Sequence, residues 1–372
     1  MSLTVTPQRS MEQIHGSRRR TVTDLAFDSS YALGGESLTP RQLGLSIVES
    51  VTIQPKYGYA FEYDIANQKL VAKRPGPALV DEATGTFTAG LAYQLQYLPA
   101  YILAIRGTAG STGTKRLIPT GETLAAGQCS LNFATGVITW GDAAITAARI
   151  VYVPLGVPGF TSDLVVVDEA APIASNVITL ANQAAAINYI WNDEDNEILG
   201  LIPVGETPSG AACAVDIDDG SGATKITVTT GRIADGTATK VSYIKRSGNP
   251  LRFVDQADRT VTSNIAGPGT DVTFDVAGLV LPGYGQVIVG EASGGANLQA
   301  LLTDPDGTAA ANVAVFNPWR NTITFTSGDA YVTAEIPLLY LQQELVQALL
   351  LDVPYGTNLT ALAAVRVVAE GF

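Results

Sequence analysis

Histidine is almost missing from this chain of 372 residues: His15 is the only one, and it stands in an N-terminal stretch away from any cluster of serines or carboxylates. That leaves no ground for a histidine-dependent hydrolase. Cysteine is nearly as scarce. Cys129 and Cys213 cannot build a disulfide framework; they hold equivalent places in two copies of a repeat, where each reads as a small buried apolar residue of its own unit, and a reduced, cytosolic site of synthesis fits. Long apolar runs are lacking too. None approaches the roughly 18–20 residues that cross a bilayer, and Met1-Ser2-Leu3-Thr4-Val5-Thr6 has no basic region followed by an apolar core, so neither anchor nor secretion signal is expected. Positive charge is short, with a net charge of −13, which argues against a general nucleic-acid binder because phosphate contacts need clustered cations. The local exception is Arg18-Arg19-Arg20. With residues 1–20 read as a flexible basic arm, these arginines are either a solvated tail or a docking element for an acidic partner surface.

What the chain does contain is repetition. Leu117-Ile118-Pro119-Thr120-Gly121-Glu122-Thr123 returns 84 residues on (201 minus 117) as Leu201-Ile202-Pro203-Val204-Gly205-Glu206-Thr207. The same offset carries Cys129 onto Cys213. Val80-Asp81-Glu82-Ala83 likewise returns as Val167-Asp168-Glu169-Ala170. A duplicated folding unit is implied, with copies at 80–155 and 165–248, and such units build scaffolds and surfaces more often than a single cleft. A degenerate third copy at 270–340 is expected, because Thr322-Ile323-Thr324-Phe325, Gly328-Asp329-Ala330 and Ile336 echo Ile138-Thr139-Trp140, Gly141-Asp142-Ala143 and Ile150 in order.

Short segments rich in Val, Ile, Thr and Tyr alternate apolar with polar residues, as in Lys225-Ile226-Thr227-Val228-Thr229. The 37 glycines and 19 prolines are spread along the chain, as many short strands joined by tight turns require. The reading is an all-β fold of tandem β-sandwich or jelly-roll-like modules. Helix signals are few. Leu341, Leu345 and Leu349 give one short amphipathic face or else a strand, and Thr39-Pro40-Arg41-Gln42-Leu43 resembles a helix start that Gly44 stops after about one turn.

Candidate chemistry is thin, and no catalytic residue or cofactor motif is assigned. Gly107 to Lys115 is rich in Gly and Thr, but Lys115 follows Thr114 instead of standing between the last glycine and a Ser or Thr, so a hairpin loop is expected. Asp216, Asp218 and Asp219 beside Gly220, and Asp193 to Glu197, offer hard oxygen ligands that suit Ca²⁺ without completing a calcium loop. Glu122 and Glu206 read as turn residues whose side chains bond nearby backbone. Exposed tryptophans on a module would favour a glycan site; Trp140, Trp191 and Trp319 are the candidates, with core packing the default.

The two ends carry a further pattern. Phe27-Asp28-Ser29-Ser30-Tyr31, Gly34-Gly35-Glu36, Phe61-Glu62-Tyr63-Asp64 and a closing strand Val365-Arg366-Val367-Val368-Ala369 together resemble a small β-rich family of structural proteins of tailed bacteriophages. The resemblance is confined to the termini. It implies a platform domain made of 21–79 plus 341–372, with the repeats inserted between. It further implies a non-enzymatic capsid decoration or cement protein, made in the host bacterial cytoplasm and placed on the virion exterior, a homotrimer whose partners are the major capsid protein and its own copies, with no role for nucleic acid or membrane. The alternative is a tail or head-fibre component whose inserted modules bind a host-surface glycan.

Overall fold

The computed structural model describes residues 3–9, 12–77, 79–88, 92–108, 115–157, 159–192, 200–203, 212–216, 222–246 and 351–372, and, between 252 and 350, the backbone of the strands named below. The fold is all-β; among the described residues there is no α-helix, and so none long and apolar enough to cross a membrane.

In chain order the first strands are β1 (Thr4–Pro7), β2 (Gln13–His15), β3 (Arg18–Ala26), β4 (Glu36–Ser37), β5 (Val48–Ile53), β6 (Ala60–Asp64) and β7 (Lys69–Gly76). Then come β8 (Val80–Thr88), β9 (Ala92–Gln94), β10 (Pro99–Thr108), β11 (Arg116–Ile118), β12 (Gln128–Asn132), β13 (Val137–Trp140) and β14 (Ala144–Pro154). A second set follows as β15 (Val165–Ala174), β16 (Val177–Thr179), β17 (Ala184–Asn192), β18 (Gly200–Pro203), β19 (Ala212–Asp216), β20 (Lys225–Thr227) and β21 (Ala238–Lys245). The third set is β22 (Arg252–Asp255), β23 (Asp271–Thr273), β24 (Leu279–Pro282), β25 (Val287–Ala292), β26 (Gly295–Thr303), β27 (Val313–Asn317), β28 (Thr322–Thr324) and β29 (Leu339–Gln343), and the chain closes with β30 (Leu349–Asp352) and β31 (Val365–Gly371).

Both termini share one sheet, in the order β1-β3-β31-β5 with β2 also on β3. In β31 Val365, Val367, Ala369 and Gly371 point inward while Arg366 and Glu370 face solvent, the period-2 pattern of a half-buried strand. A second sheet, β30-β7-β4 with β6 on β7, lies over it. Phe27 and Phe61 stack across the joint core with ring centroids 5.7 Å apart. The phrases that carry the family resemblance build this unit. Asp28 Oδ1 accepts from Ser30 N–H at 2.9 Å, Tyr31 is buried with its hydroxyl accepting from Ala72 N–H at 2.9 Å, and Glu36 Oε1 accepts from Ala32 N–H at 2.9 Å. Thr39 and Gln42 cap each other as a helix start would (Thr39 N–H to Gln42 Oε1 2.8 Å), yet only a turn forms, because Gly44 takes φ 78°.

The three inserted units have one topology. In the first, β8 and β10 flank β14 in an antiparallel sheet, and the other sheet runs β11-β12-β13-β9 with β11 parallel to β12. In the second, β15 and β17 flank β21, and β18-β19-β20-β16 repeats the parallel pair at β18 and β19. In the third, β22 and β24 flank β29, and β26-β27-β28-β23 repeats it again, with β25 added at the edge. Register agrees as well. Leu117 stands opposite Cys129, Leu201 opposite Cys213 and Leu301 opposite Ala314. Ile138 opposes Leu131, Ile226 opposes Val215 and Ile323 opposes Phe316, each two residues further along.

Two expectations are corrected. The third unit runs from Arg252 to Gln343, wider than 270–340, because β22 and the central strand β29 belong to its three-stranded sheet; the C-terminal part of the platform accordingly starts at β30 rather than at residue 341. The described part of 1–20 (3–9 and 12–20) is not a flexible arm: β1, β2 and the start of β3 lie in the terminal sheet, where Thr4 pairs with Ala26 and Ile14 with Arg19. Their weak apolar periodicity reflects an edge position, where hydrogen bonds to β3 rather than burial hold the chain.

Candidate functional site

Arg18, Arg19 and Arg20 open β3, and each meets a carboxylate of the same chain. Arg18 Nη2 lies 3.1 Å from Glu49, Arg19 Nη2 2.7 Å from Glu12 and Arg20 Nε 3.9 Å from Glu370. Arg366 and Asp24 continue the pattern with a two-pronged contact, 3.0 and 3.3 Å. The sequence showed the cations but not their partners, since Glu49 and Glu370 arrive from β5 and β31. On the solvent face of the terminal sheet Arg18, Arg20 and Arg366 therefore form neutralised pairs rather than a free basic patch, while Arg19, opposite the inward Gly371, is paired from the other face; exposed pairs of this kind contribute about 0–1 kcal/mol each.

The terminal unit also exposes large apolar side chains. Among the described residues, Ile14, Ile47, Tyr57, Ile65, Tyr355 and Phe372 are exposed at 74, 60, 73, 51, 48 and 43%, all in the terminal unit, and Val167 of the second unit at 44%. Ile47 and Phe372 are joined by reciprocal backbone hydrogen bonds of 3.1 and 3.0 Å, beside the β5 edge. Each of these residues is unremarkable in its own stretch of sequence, and only the fold gathers them on one unit.

The other candidates disperse. Trp140 and Trp191 are buried at 3 and 2% exposure, Trp191 beneath the Lys240 ammonium at 4.8 Å, and neither offers a stacking platform for a sugar. Asp216 ends β19, paired with Lys225. Asp218, Asp219, Glu206, Trp319, 193–197 and the loop 109–114 lie outside the described residues. Among the described residues no three His, Cys, Asp or Glu side chains gather as for a metal ion. Neither Cys129 nor Cys213 is in a disulfide, and both are buried; burial is the main cause that pushes the Cys213 thiol up to about 12 and the Cys129 thiol higher still.

The repeated acidic phrase has a structural meaning that spacing did not reveal. Glu82 is buried and accepts from the hydroxyls of Tyr93 (2.6 Å) and Tyr152 (2.9 Å) and from Gln96 N–H (3.2 Å). Its counterpart Glu169 accepts from Tyr243 (2.5 Å) and Ala181 N–H (2.7 Å). The neighbouring aspartates diverge. Asp81 takes the Arg149 guanidinium in a two-pronged contact, whereas Asp168 takes the Tyr189 hydroxyl. Lys240, aligned with Arg149, instead reaches Glu122 of the first unit at 2.6 Å. Glu122 is thus not the local turn acceptor expected of it but one end of a bridge between units.

A second bridge is buried. Asn188 on β17 is fully enclosed; its amide donates to Ala100 O and its carbonyl accepts from Ile102 N–H, both at 3.1 Å, both on β10. Around it Ala185, Ala186, Tyr189, Trp191 and Ile244 join the apolar core of the first unit. These contacts join the first and second units. No known protein family, curated protein or solved structure matches this chain.

Proposed function

We propose that this chain is a non-enzymatic structural protein of a tailed-bacteriophage virion, a capsid decoration or cement protein whose terminal unit is the platform and whose three inserted units project from it. One observation carries the reading: the insertion begins and ends at adjacent residues, since β7 and β30 are antiparallel neighbours with Gly76 paired to Leu349. A platform of the kind the termini resemble can accept such an insertion without disturbance, because its two ends already meet. The apolar residues that the terminal unit exposes among the described residues, such as Ile47 and Phe372, supply surface that would contact the shell.

The action would be mechanical. A protein that spans neighbouring copies of the major capsid protein adds interface that must break before the shell opens, and many symmetry-related copies multiply a modest gain per site. A homotrimer follows from the resemblance. The test is to mix the purified chain with undecorated shells assembled from the major capsid protein of the phage whose genome carries it. Saturable co-sedimentation and a higher shell-opening temperature are expected. No binding at excess chain overturns the reading, and binding to tails or to host glycans instead favours the fibre alternative.

A further inference from the structure

Lys115, just before β11, and Asp142, two residues after β13, meet inside the first unit. Nζ lies 3.1 Å from Oδ1, with 4 and 8% of the two side chains exposed. Oδ1 also accepts from Gly127 N–H at 3.0 Å, whereas Oδ2 is buried without a hydrogen-bond donor from the protein. Backbone bonds hold both ends in place: Lys115 N–H to Ile105 O at 2.8 Å, and Gly141 N–H to Gln128 O at 2.9 Å. The pair is not a requirement of the unit's architecture. By the repeat offsets (115 plus 84, and 142 plus 88 from Ile138 to Ile226) the second copy has Leu199 and Thr230 there.

We infer that Lys115 and Asp142 close a covalent cross-link, an amide between Lys115 Nζ and Asp142 Cγ. The Nζ–Cγ bond forms and the Cγ–Oδ2 bond breaks; Oδ2 departs as water, carrying the two protons that the ammonium gives up, and charge and atoms balance with no oxidant or co-reactant. Three features favour the step. Two enclosed charges become one neutral amide, removing the desolvation cost of a buried ion pair. The oxygen lost is the one without a donor, and the oxygen kept is the one already bonded to Gly127 N–H, which polarises the carboxyl for attack. The backbone contacts hold nucleophile and carbonyl together, replacing an unfavourable bimolecular condensation by an intramolecular one. The product ties the start of β11 to the turn after β13, so the segment between them cannot be drawn out of the sheet.

The experiment is mass spectrometry of the purified full-length chain, denatured and then digested with trypsin. Expected are an intact mass lower than that of the open chain by one water and a branched peptide joining 107–116 to 117–149, cleavage after Lys115 being blocked. The Lys115→Arg variant should show the full mass. Separate peptides 107–115 and 117–149 together with the full intact mass, in fresh and in stored protein, overturn the proposal. The deciding measurement is made on the unsubstituted chain, so a variant that fails to fold leaves the test intact.

Discussion

Gly35 takes φ 101°, and a Cβ there would come within 2.8 Å of the Leu70 carbonyl oxygen, a backbone atom that cannot move aside. Its neighbour Gly34 has φ 73° but open space, with only the Lys69 ammonium near, at 3.8 Å. Gly35→Ala should therefore combine left-handed strain with a steric clash and lower stability by roughly 2–4 kcal/mol, whereas Gly34→Ala should cost about 1 kcal/mol. Urea midpoints of the two variants check this; equal losses would refute the close approach at Leu70. The thiols give a second expectation at this scale. Cys129 and Cys213 are enclosed in the cores of separate units, so a thiol reagent should label neither in the native protein and both after denaturation without reductant. The duplication made the cysteines legible as core residues. It did not disclose what Glu82 and Glu169 do, because their tyrosine partners lie on other strands.

At the scale of elements, Asn188 stands where β17 crosses β10 and satisfies one donor and one acceptor of the other unit's backbone. Asn188→Ala would leave the Ile102 N–H and Ala100 O buried without a partner, a loss of roughly 2–4 kcal/mol. Since the core of the first unit includes side chains from the second, the wild-type pair should unfold in one transition. In the variant, calorimetry should show that transition lowered or split; an unchanged midpoint would mean the amide contributes nothing net. Strand periodicity made β20 and β31 readable, since each has one buried face. It failed at β1 and β2, which are short edge pieces held by β3, and it left Leu341, Leu345 and Leu349 between helix and strand. Leu341 lies in β29 and Leu349 in β30, in different sheets, so their regular spacing never described one face. The Arg18–Arg20 run was legible as charge, but the exposed Ile47–Phe372 pair was not, because these residues become neighbours only when β31 enters between β3 and β5.

For the whole molecule, the recurring device is a neutral tyrosine hydroxyl buried against a carboxylate, and it sets how the protein should respond to alkali. Burial foremost, and then the Glu169 carboxylate accepting its hydrogen bond, push Tyr243 up to about 12. Burial also raises Tyr31, Tyr93, Tyr101, Tyr152 and Tyr189, with Glu82 adding to Tyr93 and Tyr152 and Asp168 to Tyr189. An unfolded tyrosine ionises near 10. With the folded value above the unfolded one, the native state holds its protons longer, so the stabilisation is fully present below about pH 10 and is lost as pH rises through the folded value. All six groups pull the same way and are spread over the terminal, first and second units, so alkaline unfolding should be steep and shared among them. Stability to urea should be independent of these groups up to about pH 10 and then fall sharply. Tyrosinate absorbance from the buried hydroxyls should develop together with the loss of β-sheet circular dichroism. If all 14 tyrosines instead ionised near pH 10 with the circular dichroism intact, the hydroxyls would be open to solvent and the carboxylate–tyrosine pairs would not be closing the cores. Tyr152→Phe should shift the alkaline midpoint upward while lowering stability at neutral pH, because it removes one ionisable group and leaves Glu82 short of a donor.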